Sequence, residues 1–218
     1  WSYIDPLDPA LRKVHLNITR KNVNDLHPAD IADIIEDLDN RGRLTIFKSL
    51  DEETAAETLE EVKPDVRAMM LRQMSARDVA DIMDNMDPDD AADILIAMPK
   101  SRSSEVLKQL CDISKEHASD IHDLMKYREN SAGGMMNTEF IQVRTGQKIS
   151  DVFEKLRAES RDIDMIYYIY ALDDKDHLLG VFSLRDMLLA DPQKTVRDIM
   201  LSEVITVLPA ESREEVAK

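Results

Sequence analysis

The stretch Tyr127-Arg-Glu-Asn-Ser-Ala-Gly-Gly-Met-Met-Asn137 separates two kinds of sequence. It holds the only Gly-Gly pair in a chain of 218 residues that has five glycines. Glycine accepts backbone angles and close approaches that other residues refuse. Upstream the chain reads as short helices in a repeat. Downstream it alternates strand-like and helix-like segments. The pair therefore marks a change of domain, either as a flexible linker or as a packed joint whose carbonyls face something.

Upstream, apolar residues recur at every twelfth position: Leu26, Leu38, Leu50, Val62, Met74, Met86, Met98 and Leu110. A second series follows at Ile34, Ile46, Thr58, Met70, Ile82, Ile94 and Val106, with apolar neighbours from Ile35 to Leu107. Twelve residues fit one helix of two to three turns plus a tight corner. The corners carry helix starters: His27-Pro28, Asp51, Lys63-Pro64, Ser75, Asp87-Pro88 and Pro99. Proline suits a first helical turn, and Asp or Ser the N-cap. One such helix cannot bury its apolar face alone, so neighbours must stack. The spacing predicts a right-handed superhelix of short antiparallel helices, with a leading helix over 1–22 and a closing one over 114–124. The methionines read as core filler.

Composition narrows the function. A formal charge of -16 argues against nucleic acid and against an anionic membrane face. Cys111 is the single cysteine, which excludes an internal disulfide. No apolar run approaches the roughly 20 residues that span a bilayer. The chain begins at Trp1 without a methionine, which suits a fragment and leaves room for a membrane part outside it. His15, His27, His117, His122 and His177 form no metal-ligand spacing, and no glycine-rich phosphate loop is present. An enzyme is not expected.

The acids are unevenly placed. Asp33, Glu57, Asp81, Asp93 and Glu105 keep phase with the repeat, and seven aspartates lie between Asp78 and Pro99 without a Lys or Arg. Asp87 is a candidate N-cap, and Asp89 and Asp90 suit a first turn. Asp93 has no such role, and it shares a helix face with Asp89. This face reads either as solvated surface or as a divalent-cation surface. Magnesium keeps waters and uses one or two carboxylates, so it leaves no motif. No calcium-loop pattern is present.

Downstream, the order is strand 140–143, helix 149–157 capped by Ser150 or Thr145, strand 166–172, turn 173–177, strand 178–183 and helix 184–190. An aliphatic tail follows over 196–200. The order then restarts with a strand over 204–208 and a helix over 213–218. Gly180-Val-Phe-Ser183-Leu-Arg-Asp186 resembles the signature of CBS domains. That resemblance implies paired modules whose Ser and Asp bind the ribose or phosphates of adenosine nucleotides such as ATP.

The resemblance widens with Leu26-His-Pro-Ala-Asp30, Ala132-Gly-Gly-Met-Met136, Tyr167-Tyr-Ile-Tyr170 and Ser183-Leu-Arg-Asp-Met-Leu-Leu-Ala-Asp-Pro192. Together these are similar to the cytosolic part of the MgtE family of magnesium channels. The resemblance implies an N-terminal superhelical domain (1–130), a first CBS domain (131–198) and the start of a second (199–218). It implies a homodimer paired through CBS domains, at the cytoplasmic face of the membrane beside its own pore domain. It also implies Mg2+ bound between the N domain and the CBS domains, favouring the closed pore. The expected metal residues are Glu57, Asp89 and Asp93, a backbone carbonyl of Gly134, and Glu214. Ser212 departs from the family pattern, where an acid is expected. Tyr168, Ser183, Arg185 and Asp186 match the nucleotide positions. Two other classes stay open: a soluble CBS-type adenine-nucleotide sensor, and a helical-repeat adaptor that binds a partner protein.

Overall fold

The structure is a computed structural model that describes residues 23–128, 130–138, 140–159 and 166–218. The leading helix expected over 1–22 lies outside the described residues. The chain forms two compact units, one up to Lys126 and one from Tyr127 onward, a division slightly ahead of the expected 130/131 boundary.

The first unit contains α1 (Pro28–Asp37), α2 (Asn40–Phe47), α3 (Glu52–Glu61), α4 (Pro64–Gln73), α5 (Ala76–Met83), α6 (Pro88–Ala97), α7 (Lys100–Ile113) and α8 (Lys115–Leu124). The first seven start at twelve-residue intervals. Each start has a local cause. Asp39, Asp51, Ser75 and Ser114 accept a backbone N–H from the first turn of α2, α3, α5 and α8. His27 caps α1 through its ring nitrogen, ahead of Pro28. Lys63 and Asp87 precede prolines and make no side-chain cap bond. The expected capping role of Asp87 is thus positional only; Pro88 already fixes the first-turn backbone angle and removes one donor. Four corners are two residues long, such as Leu38-Asp39 and Val62-Lys63, both residues being outside the helices.

The apolar residues of the repeat fill the core. Ile35, Leu59, Met83 and Leu95 are buried, as are Met70, Val106 and Leu110. Helices pack on the next but one: α1 on α3, α3 on α5 and α5 on α7 form one row, and α2 on α4 and α6 on α8 form parts of a second. Between α4 and α6 the second row is not closely packed.

The second unit carries a three-stranded sheet, ordered β1 (Ile141–Arg144), β2 (Tyr168–Leu172) and β3 (Leu178–Ser183). β1 pairs parallel with β2, and β2 antiparallel with β3. α9 (Ile149–Glu159), α10 (Leu184–Leu189), α11 (Val196–Ile199) and α12 (Arg213–Val216) accompany it. Ile169 and Phe182 from the sheet pack with Ile149, Val152, Met187 and Val196. The turn between β2 and β3 is closed by Asp173 Oδ1, which accepts N–H groups of Lys175 and His177, and Asp176 takes a left-handed backbone.

Two expectations change here. Neither Ser150 nor Thr145 is the start of α9. Its first free N–H groups, of Ile149 and Ser150, donate to the carbonyls of Lys194 and Pro192. Those carbonyls come from a distant segment, so no local residue pattern shows them. The strand expected over 204–208 is not formed either. Its residues pair with no strand among the described residues, and Ile205 is 96% exposed. Alternating apolar residues supply strand propensity, but a strand exists only against a partner.

Candidate functional site

The corner before α6 reads Met86-Asp87-Pro88-Asp89-Asp90. Acids in a first turn are favoured by the positive end of the helix dipole, which explains one or two of them. Here Asp87, Asp89 and Asp90 each place a carboxylate oxygen within 4.8 Å of the others. Asp89 Oδ1 is shielded from solvent and accepts no hydrogen bond. Burial raises the Asp89 carboxyl, the charges of Asp87 and Asp93 push the same way, and the N–H groups of Asp89 and Asp90 pull it back. Asp90 is raised by burial and by Asp89, Asp87 and Asp93, against Arg67. Glu60, on α3, faces the same corner. It keeps much of its surface exposed, yet crowding around its carboxyl, followed by the charges of Asp90, Asp87, Glu57 and Asp89, pushes it up to about 7.

The three acids named from the sequence for this unit therefore gather with three others. Glu57 and Asp93 are exposed, and both act electrostatically on the cluster, Glu57 on Glu60 and Asp93 on Asp89 and Asp90. Asp87 and Asp90 had helix-start roles in the sequence, and Glu60 had none. A signal for Glu60 did exist. Two repeats earlier, Glu36 bonds Lys63; Glu60 and Asp87 hold the same two repeat positions.

Such an arrangement can do two things. It can hold a proton near neutral pH, since like charges cannot all ionise cheaply. It can also hold a divalent cation. Magnesium needs one or two carboxylates and fills the rest of its octahedron with water. The clustered oxygens and the unpartnered Asp89 Oδ1 suit that chemistry.

In the second unit, the described residues around the Gly-Gly pair pack against its C-terminal segment. Residues 130–133 run beside 209–213. Ala132 and Gly133 donate N–H bonds to the carbonyls of Glu211 and Pro209, at 2.8 and 2.9 Å, and Arg213 donates to Asn130 at 3.0 Å. Ser131 and Ser212 form an antiparallel bridge. A Cβ on Gly133 would lie 2.5 Å from the Tyr127 ring, and no glycine here has positive φ. Space, rather than backbone angle, demands this glycine. Gly134 is half-buried, and its N–H donates to Ser131. Ser212 caps α12 in a reciprocal pair with Glu215, and Glu214 is exposed in its first turn.

The nucleotide candidates also come together. Tyr168 of β2 lies opposite Ser183 of β3. Ser183 caps α10, its Oγ accepting the Asp186 N–H at 3.1 Å and donating to Asp186 Oδ2 at 2.6 Å. The Ser183 N–H donates to the same oxygen, and these Ser183 bonds hold the Asp186 carboxyl below its usual range. Tyr168 is 58% exposed, and Arg185 sits between Ser183 and Asp186 in the chain. At the signature glycine, Gly180, a Cβ would lie 2.8 Å from the Leu201 carbonyl oxygen.

Known proteins match this architecture in order. The family model of the MgtE intracellular N domain matches residues 26–130, and that of the CBS domain residues 132–192. The magnesium transporter MgtE of Thermus thermophilus is 33% identical over 214 residues, covering 97% of this chain and 47% of that protein. The magnesium transporter MgtE of Enterococcus faecalis is 34% identical over 103 residues, 47% of this chain and 23% of that protein. The chain thus spans less than half the length of these curated relatives. The crystal structure of the cytosolic domain of the Mg2+ channel MgtE in complex with ATP aligns with a TM-score of 0.82 at 33% identity, over 91% of this chain and 80% of that one. No helix of the described residues is long and apolar enough to cross a membrane. With the helical unit matched to the N-domain model and the sheet-bearing unit to the CBS model in that order, this chain belongs to the MgtE family and corresponds to its N domain followed by a CBS domain.

Proposed function

We propose that this chain is the magnesium-sensing and gating region of a magnesium transporter, standing at the cytoplasmic face of the membrane. The observation that carries this reading is the crowded carboxylate corner of α6, with Glu60 raised to about 7 and an unpartnered Asp89 oxygen. Like charges at this spacing oppose one another, and a divalent cation relieves them. Glu57, Asp89 and Asp93 are the carboxylates we assign to the metal in the helical unit. The Gly134 carbonyl and Glu214 are the oxygens we assign to it in the second unit. We read residues 131–198 as the first CBS domain and 199–218 as the start of another, with a homodimer formed through the CBS domains.

On this reading magnesium acts as a clamp. Without it, acids of the two units repel; with it, shared cations favour the closed arrangement. A ligand shifts such an equilibrium only by its differential affinity. Moving the population from 1:99 to 99:1 takes ~5.5 kcal/mol, which several ions at ~1–2 kcal/mol each supply near saturation. The test is limited proteolysis with and without Mg2+. Magnesium is expected to protect the wild-type chain and to protect the Glu57→Ala/Asp89→Ala double variant far less. Equal protection of both removes these residues from the clamp.

We also propose that ATP binds at Tyr168, Ser183, Arg185 and Asp186. Both Ser183 bonds to the Asp186 carboxylate fall on Oδ2, which leaves Oδ1 for ribose hydroxyls. Calorimetry with ATP should show saturable heat that Asp186→Ala removes; unchanged heat in that variant excludes this pocket.

A further inference from the structure

The break in the second helix row forms an open groove between α4, the end of α6 and the start of α7, with about 70 Å³ of enclosed space. Its floor is apolar, with Leu71 and Ile94 buried and Met98 half-buried. Its rim carries Arg67, Arg72 and Arg102, and no acid lines it. This is an exception in a chain of net charge -16.

Two of the three guanidiniums are held from behind. Arg102 donates to the Met74 carbonyl at 2.6 Å and pairs with Glu105 at 3.1 Å. Arg67 donates through one nitrogen to the Leu59 carbonyl at 3.4 Å and draws the Asp90 carboxyl down. A guanidinium has five N–H donors in a planar fork, so each retains donors for a ligand. Held in place, the fork loses little freedom on meeting a carboxylate or phosphate.

We propose that this groove binds a small soluble amphipathic anion, its apolar body on Leu71, Ile94 and Met98 and its carboxylate or phosphate on the rim arginines. Charge complementarity selects the anion, and the apolar floor selects the body. A membrane surface fits less well, because it calls for a broad basic face and the surrounding chain is acidic. The groove does not depend on the magnesium reading, though its Arg67 also acts on Asp90 of the acidic corner.

The test is calorimetric titration of the full chain with octanoate and octyl phosphate, against octylamine and octanol. Saturable binding of both anions at one site per chain is expected, with octylamine at least about tenfold weaker. Replacing both Arg67 and Arg72 with Gln is expected to weaken octanoate about tenfold or more, the scale of a lost charge-assisted contact. Ala97→Phe, which fills the groove from an exposed helix position, should abolish binding while circular dichroism stays as in the wild type. Ala68→Phe fills it from the opposite wall and serves if the first variant does not fold. No saturable binding of either anion, equal binding of octylamine, or unchanged binding in a folded groove-filled variant overturns the proposal.

Discussion

Two corners of the helical unit occupy the same repeat position with opposite electrostatics. At the first, Glu36 of α1 meets Lys63 at the start of α4. Its Oε1 accepts the Lys63 N–H at 2.8 Å, and its Oε2 pairs with the lysine ammonium. Two repeats on, Glu60 of α3 meets Asp87 at the start of α6, and the pair is acid on acid. A second difference sits beside it. Ile34 in the first module becomes Thr58 in the second, whose buried Oγ1 has no hydrogen-bond partner. The cap backbone is nearly the same in both, and Pro64 and Pro88 start both helices, although the corner is two residues long before Pro64 and four before Pro88. The apolar repeat therefore sets the architecture, and the polar positions are free to carry charge that the fold itself does not favour. At the first corner they serve stability. At the second they oppose it, which is where function and stability trade against each other.

The most direct way to break the contrast is Asp87→Lys, which rebuilds the first corner in the second. Metal-free protein should gain about 1 kcal/mol, a rise in Tm of about 4–8 °C for a unit of this size. The extra thermal stability that Mg2+ gives the wild type should fall sharply in the same variant. If scanning calorimetry shows a lower Tm instead, Glu60 and Asp87 do not oppose one another.

Thr58→Val tests the second difference. It replaces a buried, unbonded hydroxyl with a methyl of similar shape, and a gain of about 1 kcal/mol is expected from urea unfolding. A loss would mean that the hydroxyl has a partner in solution.

The two corners should also respond oppositely to pH. Glu36 is held below its ordinary value by the Lys63 hydrogen bonds, so its contribution is present above the unfolded value and lost as pH falls. Glu60 is raised from 4.5 to about 7, so the folded chain binds the extra proton and stability falls as pH rises through that window. Comparing wild type with Glu60→Gln in metal-free urea unfolding should show the wild type losing ground between pH 4.5 and 7. Parallel curves would place the Glu60 carboxyl at an ordinary value. Magnesium should bind more tightly toward pH 8, because the proton competes with it.

The smallest effect is expected at Lys63→Ala. The ammonium is largely exposed, and exposed pairs contribute little and are screened by salt. The Lys63 N–H remains bonded to Glu36 in this variant, so a small Tm decrease that vanishes in high salt is expected. A large decrease would make the first corner a structural requirement.

Some of this was legible because its causes are local. An N-cap such as Asp51 or Ser75, and a proline such as Pro64 or Pro88, act within one turn of themselves. The helix starts could therefore be placed from the chain alone. Asp39 caps α2 with the same chemistry, and its local signal is as strong as that of Asp51. The clustering of Asp89 with Asp87 and Asp90 was half legible, since the three residues are adjacent in sequence while their geometry is set by the proline-started turn. Glu60 was not visible by proximity, because the aspartates that crowd it lie more than two repeats away. The strand expected at 204–208 failed for the matching reason: Ile205 and Val207 carry the propensity, and no partner strand meets them among the described residues.

The sequence by itself determined the helix starts, the apolar repeat, the strands from Ile141 to Ser183 and the glycine joint, because dihedral preference, capping and periodic burial act over a few residues. Only the tertiary structure decided which charges meet. It put Glu60 against Asp87, set the carbonyls of Pro192 and Lys194 on the start of α9, and brought 209–213 alongside the joint at Gly133. Electrostatic energy depends on distance through space, and that distance is fixed by packing between helices and strands far apart in the chain.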